Sequence, residues 1–145
     1  MNEFNWLNFC IPCKNWCCHN ENPFASESEL SQLKVTKINI KEDGSCIFLD
    51  KLGKCNVYEK RPFECHIFPF DIQVINEEIF WVLWNICPAA PHQSEKIIDS
   101  FEQKFSKRWD SNYIKQYVAY HKNNQPQKYS SNKFTIIRKL NWPTN

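Results

Sequence analysis

Glycine is nearly absent from this 145-residue chain: Gly44 and Gly53 are the only two. That leaves no glycine-rich loop able to wrap a phosphate against a helix N-terminus, which argues against a nucleotide-binding fold. A dominant charge is also missing. The 18 basic and 16 acidic side chains are interspersed and sum to +2, so no broad field exists to hold a polyanion, and nucleic acid is not expected as a partner. Long apolar runs are lacking as well. The longest, "IFWVLWNIC", is about half of what a helix needs to cross a bilayer and is interrupted by Asn85, so it reads as a buried strand and no membrane partner is expected. The N-terminal "MNEFNWLNFC" carries Glu3, has no basic run, and does not reach the apolar length of an export signal. A cytoplasmic protein is the expectation.

Sulfur and aromatic carbon are what the chain has in quantity. A 42% hydrophobic and 15% aromatic content supplies the side chains needed to offset the entropy of ordering, so a packed globule of one domain's size is expected. Eight cysteines fall at Cys10, Cys13, Cys17, Cys18, Cys46, Cys55, Cys65 and Cys87, four of them within "CIPCKNWCCHN". Three chemistries compete for such crowding: disulfide staples, a redox-active thiol pair, or ligation of a soft metal. In a reducing cytosol the last is favoured over structural disulfides.

Thiolates suit soft and borderline metals because their lone pairs are polarizable, and a bound cation keeps them deprotonated at neutral pH. The two-residue gap lets Cys10 and Cys13 reach one metal from a single turn. Cys17 and Cys18 are neighbours whose side chains diverge, so they serve different centres or different edges of one. All eight thiols together suffice for two four-sulfur sites, or one cluster with four cysteines left over. Phe4, Trp6, Phe9 and Trp16 flank the N-terminal group and could wall off water. His19 and His66 each adjoin a cysteine and read as supporting or surface residues; His92 and His121 read as surface residues.

Along the chain, Ser26 and Glu29 have the spacing of a capping box at a helix start. Val35, Ile38 and Ile40 alternate up to a turn at Asp43-Gly44. The pattern resumes at Ile47 and Leu49 before a second turn at Gly53, predicting antiparallel hairpins whose ends present Cys46 and Cys55. Ile72, Val74, Ile79 and the apolar run predict two strands around Asn76-Glu77, with Cys87 at the far end. Ile97, Phe101, Phe105, Trp109, Tyr113 and Tyr117 recur every four residues and predict one long amphipathic helix from Ser94. The polar "NNQPQKYSSN" then separates a tail that adds a final strand or docks loosely. The expected fold class is α+β: a small metal-stabilised domain with short antiparallel strands, a cysteine-rich N-terminal loop and a long C-terminal amphipathic helix. Its expected extent is residues 1–122, with 123–145 as polar linker and tail.

"CIPCKNWCC", then "CIFLDKLGKCNVYEKRPFECHIFPF", then "CP" resemble the CxxCxxCC, or YkgJ-like, cysteine-cluster family of zinc- or iron-chelating proteins. The family's C-x-F/Y-L segment matches Cys46, Phe48 and Leu49. Its C-x-[IV]-Y-x-x-R-P-x-x-C segment matches Cys55, Val57, Tyr58, Arg61, Pro62 and Cys65, and its late cysteine before proline matches Cys87 and Pro88. One departure is plain: Lys14, Asn15 and Trp16 separate Cys13 from Cys17 where the family has two residues. The resemblance implies chelation of zinc or iron without fixing the metal, so an iron–sulfur cluster and zinc both stand as cofactors. It implies a role in metal handling, electron transfer or assembly with a protein partner.

Two other readings remain. Some longer relatives are flagellin lysine methylases with an iron–sulfur cluster, which raises a metal-dependent enzyme of methyl transfer or radical chemistry; no S-adenosylmethionine loop stands beside the cysteines here. A thiol oxidoreductase using Cys10 and Cys13 lacks the βαβ context that chemistry expects. Arg61 before Pro62 is held toward extended geometry, where it presents Cys65 and can offset thiolate charge.

Overall fold

In a computed structural model, the structure describes residues 23–85, 87, 89–124 and 134–143. These residues divide into two compact units. One holds the described residues up to His66 with Cys87 and Ala89; the other holds Ile67 to Asn85 and the residues from Ala90 onward.

The first unit opens with helix α1 (Glu27–Gln32), which begins where Ser26 and Glu29 cap each other: the Ser26 hydroxyl accepts from the Glu29 N–H, and the Glu29 side chain accepts from the Ser26 N–H. It ends with Lys34 in the left-handed region, Val35 N–H bonded to Leu30 O and Lys34 N–H to Ser31 O, the paired closure that satisfies the last free carbonyls of a helix. Residues 39–56 form two turns described below. A 3₁₀ turn (Tyr58–Lys60) and the single-turn helix α2 (Phe63–Ile67) follow, with Pro62 at the junction.

The second unit is built on an antiparallel sheet in the order β1 (Phe70–Ile75), β2 (Glu78–Trp84), β3 (Phe134–Lys139). Asn76 and Glu77 both take positive φ, the two-residue turn whose twist matches the strands it joins. The register sets Ile72 opposite Trp81 and Asp71 opposite Val82, so alternate residues face opposite sides. On one side Phe70 and Trp81 meet Phe101 of helix α3 (Lys96–Lys104), with ring centroids 5.8 and 5.9 Å apart. On the other, Asp71 receives the Trp84 indole N–H at 3.0 Å and the Tyr117 hydroxyl of helix α4 (Ser111–Asn124). The two helices thus cover opposite faces of the hairpin, and Trp81, Trp84 and Tyr117 are fully enclosed.

The single long helix expected from Ser94 is not formed. Phe105–Lys107 tightens into a 3₁₀ turn, and Asp110 restarts the chain by accepting the Tyr113 N–H at 2.9 Å. The four-residue spacing explains the break. Each such step overshoots a full turn by about 40°, so across the six positions from Ile97 to Tyr117 a straight helix would carry the stripe about 200° around its axis. Breaking the helix at Phe105 to Asp110 lets Phe101 pack on one sheet face and Tyr117 on the other.

The tail forms β3, paired to β2 with a bulge at Trp81/Val82. Arg138 secures it to α3, reaching Glu95 at 3.3 Å, Asp99 at 2.7 Å and the buried Glu102. Burial works against the guanidinium's charge, but its hydrogen bonds to Glu102, Asp99 and Glu95 prevail and raise its pKa above the ordinary arginine value. The Trp142 indole N–H donates to Trp109 O at 2.9 Å. His121, expected at the surface, is buried with its ring 4.5 Å from that of Tyr117, because it falls one helical turn beyond Tyr117 on the covered face.

Candidate metal centre

Residues 39–47 and 48–56 are two copies of one backbone turn. In the first, Lys41 N–H bonds to Ser45 O, Gly44 N–H to Lys41 O and Ile47 N–H to Asn39 O. In the second, nine residues on, Asp50 N–H bonds to Lys54 O, Gly53 N–H to Asp50 O and Asn56 N–H to Phe48 O. A bridge closes each copy, Ile40 to Cys46 and Leu49 to Cys55, and each cysteine carbonyl accepts from the amide three residues later, Leu49 or Tyr58. The expected hairpins are therefore present as isolated bridged turns.

Gly44 and Gly53 occupy the same place in the two copies, at φ 86° and 81°, a region L-residues enter only with strain. Carboxylates brace both turns. Asp43 Oδ1 accepts the Ser45 N–H at 2.9 Å, and Asp50 Oδ1 accepts the N–H groups of Leu52 and Lys54 at 2.8 and 2.9 Å. The Lys41 ammonium donates to Leu49 O and links one copy to the next. Cys46 and Cys55 thus stand at equivalent positions of two like scaffolds, each half-buried.

Cys65 lies in α2, two residues after the junction Pro62 and Phe63, and its N–H donates to Pro62 O at 3.0 Å. Arg61 braces this segment with its whole fork. Its Nε donates to Tyr58 O at 2.7 Å, one terminal nitrogen to Cys65 O at 3.3 Å, and the other lies 3.4 Å from His66 Nδ1. The guanidinium is stacked 3.6 Å from the Tyr58 ring centroid, which fixes its plane. Two buried carboxylates complete the frame: Glu29 accepts the Phe63 N–H at 2.9 Å, and Glu64 accepts the Phe24 N–H at 2.7 Å.

Of the sequence-derived ligands, Cys46, Cys55, Cys65 and Cys87 are half-buried thiols in the same compact unit. Cys10, Cys13, Cys17 and Cys18, with His19 and the aromatic flank, lie outside the described residues. Among the described residues no three His, Cys, Asp or Glu side chains gather as a metal site. His66 Nδ1 lies 3.4 Å from a terminal nitrogen of Arg61.

Sequence reasoning missed Glu29's second bond and Glu64 altogether, because each links segments 34 and 40 residues apart. It also missed the repeat. The signal was present, since Gly44 and Gly53 share the nine-residue spacing of Cys46 and Cys55.

Partly buried thiols held on hydrogen-bonded turns are donors of the soft class, and that donor chemistry fits zinc or iron. The chain belongs to the CxxCxxCC family, described as "Putative zinc- or iron-chelating domain", whose model matches residues 9–88. Neither a curated protein nor a solved structure matches the chain. The matched span ends at Pro88, so the α3, α4 and β3 elements fall beyond it. No helix among the described residues is long and apolar enough to cross a membrane.

Proposed function

We propose that this is a cytoplasmic metal-binding protein in which Cys10, Cys13, Cys17, Cys18, Cys46, Cys55, Cys65 and Cys87 hold an iron–sulfur cluster or zinc. Its role is metal handling, electron transfer or assembly with a partner protein. The observation that carries this reading is the pair of turns bearing Cys46 and Cys55, which share one hydrogen-bond pattern. A packing cysteine needs only an apolar niche, whereas these two are each set by the same backbone hydrogen bonds, the same left-handed glycine and a bracing carboxylate. Family membership supports the choice of zinc or iron.

When bound, the metal would supply the positive charge that keeps the thiolates ionised, and the protein's part is to hold them at fixed spacing. Arg61, beside Cys65 and stacked on Tyr58, contributes a permanent positive charge to a centre in which four thiolates around a divalent ion leave about two negative charges.

Metal analysis and labile-sulfide determination on anaerobically purified protein test the reading. Brown protein with iron and sulfide assigns a cluster; colourless protein with zinc assigns zinc. Protein free of both, even after reconstitution with either, refutes chelation. Cys13→Ala and Cys55→Ala should each lower metal content and loosen the fold, and full occupancy in both would remove those positions from the ligand set.

A further inference from the structure

Glu29 and Glu64 are 5% and 6% exposed, an unusual depth for acidic side chains. Their hydrogen bonds run in opposite directions between the same two segments. Glu29 reaches from α1 to the Phe63 N–H at the first residue of α2, while Glu64 reaches from α2 to the Phe24 N–H just before α1. From this reciprocal pair we infer that Glu29 and Glu64 are positioning residues for Cys65, setting the affinity and geometry of the metal centre without ligating it. The inference rests on the metal reading above.

The need for such a clamp follows from the size of α2. At five residues it is far below the length at which a helix holds itself in water, about 12–15 residues. Its orientation, and with it the backbone of Cys65 at its middle, must be fixed from outside. Glu29 is suited to that task and unsuited to ligation, because Oε1 accepts the Ser26 N–H and Oε2 the Phe63 N–H, committing both oxygens to backbone.

Leucine occupies a similar volume but has no oxygen to accept from a backbone N–H, whereas glutamine can turn its remaining oxygen toward the same donor. The experiment is anaerobic Co2+ titration of the full chain and of Glu29→Leu, Glu64→Leu and Ser26→Ala. Thiolate-to-cobalt charge-transfer absorbance and competition affinity are recorded, after far-UV circular dichroism has established that each variant is folded. Ser26→Ala removes the cap of α1 but leaves the Glu29 bond to Phe63.

Glu29→Leu and Glu64→Leu should bind Co2+ about tenfold to a hundredfold more weakly with altered charge-transfer bands, while Ser26→Ala stays within about twofold of the parent. If Glu29→Leu does not fold, Glu64→Leu carries the test alone. Parent-like affinity and spectrum in the folded leucine variants, or an equal loss in Ser26→Ala, overturns the inference. A parent chain that takes up no Co2+ overturns the metal reading itself, and the inference with it.

Discussion

Replacing Gly44 with alanine isolates the free energy of one backbone conformation beside a candidate ligand. Gly44 has φ 86°, and a Cβ added there meets nothing within 4 Å. Crowding by neighbours is therefore excluded, leaving only the clash of the new Cβ with its own backbone, about 1–2 kcal/mol for an L-residue in this region. Reduced freedom of the unfolded chain returns about 0.4–1 kcal/mol, so the net loss should be about 1 kcal/mol. Asparagine tolerates the left-handed region better than alanine, and Gly44→Asn should lose about half as much. The same turn closes the Ile40–Cys46 bridge. If metal binding is coupled to that closure, a 1 kcal/mol loss appears as about fivefold weaker affinity. Urea unfolding with and without zinc, read as a midpoint shift at constant slope, gives the stabilities, and competition titration gives the affinities. The expected order is Gly, Asn, Ala in both. An alanine variant equal to the parent, or an asparagine variant no better than alanine, would refute the argument from φ.

The sheet unit offers two further tests. Asp71 accepts from Ile72 N–H, Gln73 Nε2, Trp84 Nε1 and the Tyr117 hydroxyl. With Asp71→Asn, whichever way the amide turns, either the Trp84 indole or the Ile72 amide faces another donor. The loss should be about 1–3 kcal/mol by thermal or urea unfolding, and a loss below about 0.5 kcal/mol would mean the network is not closed as described. Glu77 occupies a positive-φ turn position at 68° that favours glycine, so Glu77→Gly should raise stability by about 0.5 kcal/mol, and a destabilised variant would contradict the turn assignment.

Legibility in the sequence followed the range of the interactions. The hairpin of β1 and β2 was visible because Ile72, Val74 and Ile79 alternate around Asn76-Glu77, and the α1 start because Ser26 and Glu29 are three residues apart. The break before Asp110 was not, since i+4 spacing describes one helix or two equally well until the sheet supplies two faces to cover. Arg138 gave no hint of its partners, the nearest in sequence being Glu102, 36 residues away. In the candidate centre the cysteines were legible by type and spacing, but the repeat beneath two of them was nearly silent. Between the copies only Gly44 with Gly53 and Cys46 with Cys55 are identical, and the bracing carboxylates arrive from different places, Asp43 and Asp50. Backbone geometry repeats there while most side chains diverge, so Ile40 and Leu49 are the one hydrophobic pair that keeps the spacing.

That divergence bears on what holds the cysteine unit together. Its buried apolar side chains among the described residues are Leu33, Leu49, Pro62, Phe63 and Ala89, whereas the sheet unit encloses the rings of Phe70, Trp81, Trp84 and Tyr117 almost completely. Apolar burial of about 25 cal/mol per Å2 is the main force opposing chain entropy, and the described residues of the cysteine unit contribute only a small apolar set to it. Hydrogen-bonded turns add little more, because each bond nets only about 1 kcal/mol once water is accounted for. A metal bound by thiolates supplies free energy of a larger order, about 10–16 kcal/mol for structural zinc sites, and supplies it only to the folded arrangement. The left-handed glycines, the Asp43 and Asp50 braces and the Glu29–Glu64 clamp then have a common rationale. On the proposed metal reading they select which backbone arrangement a bound metal would stabilise, and the metal would add to the stability that the apolar side chains of the described residues supply.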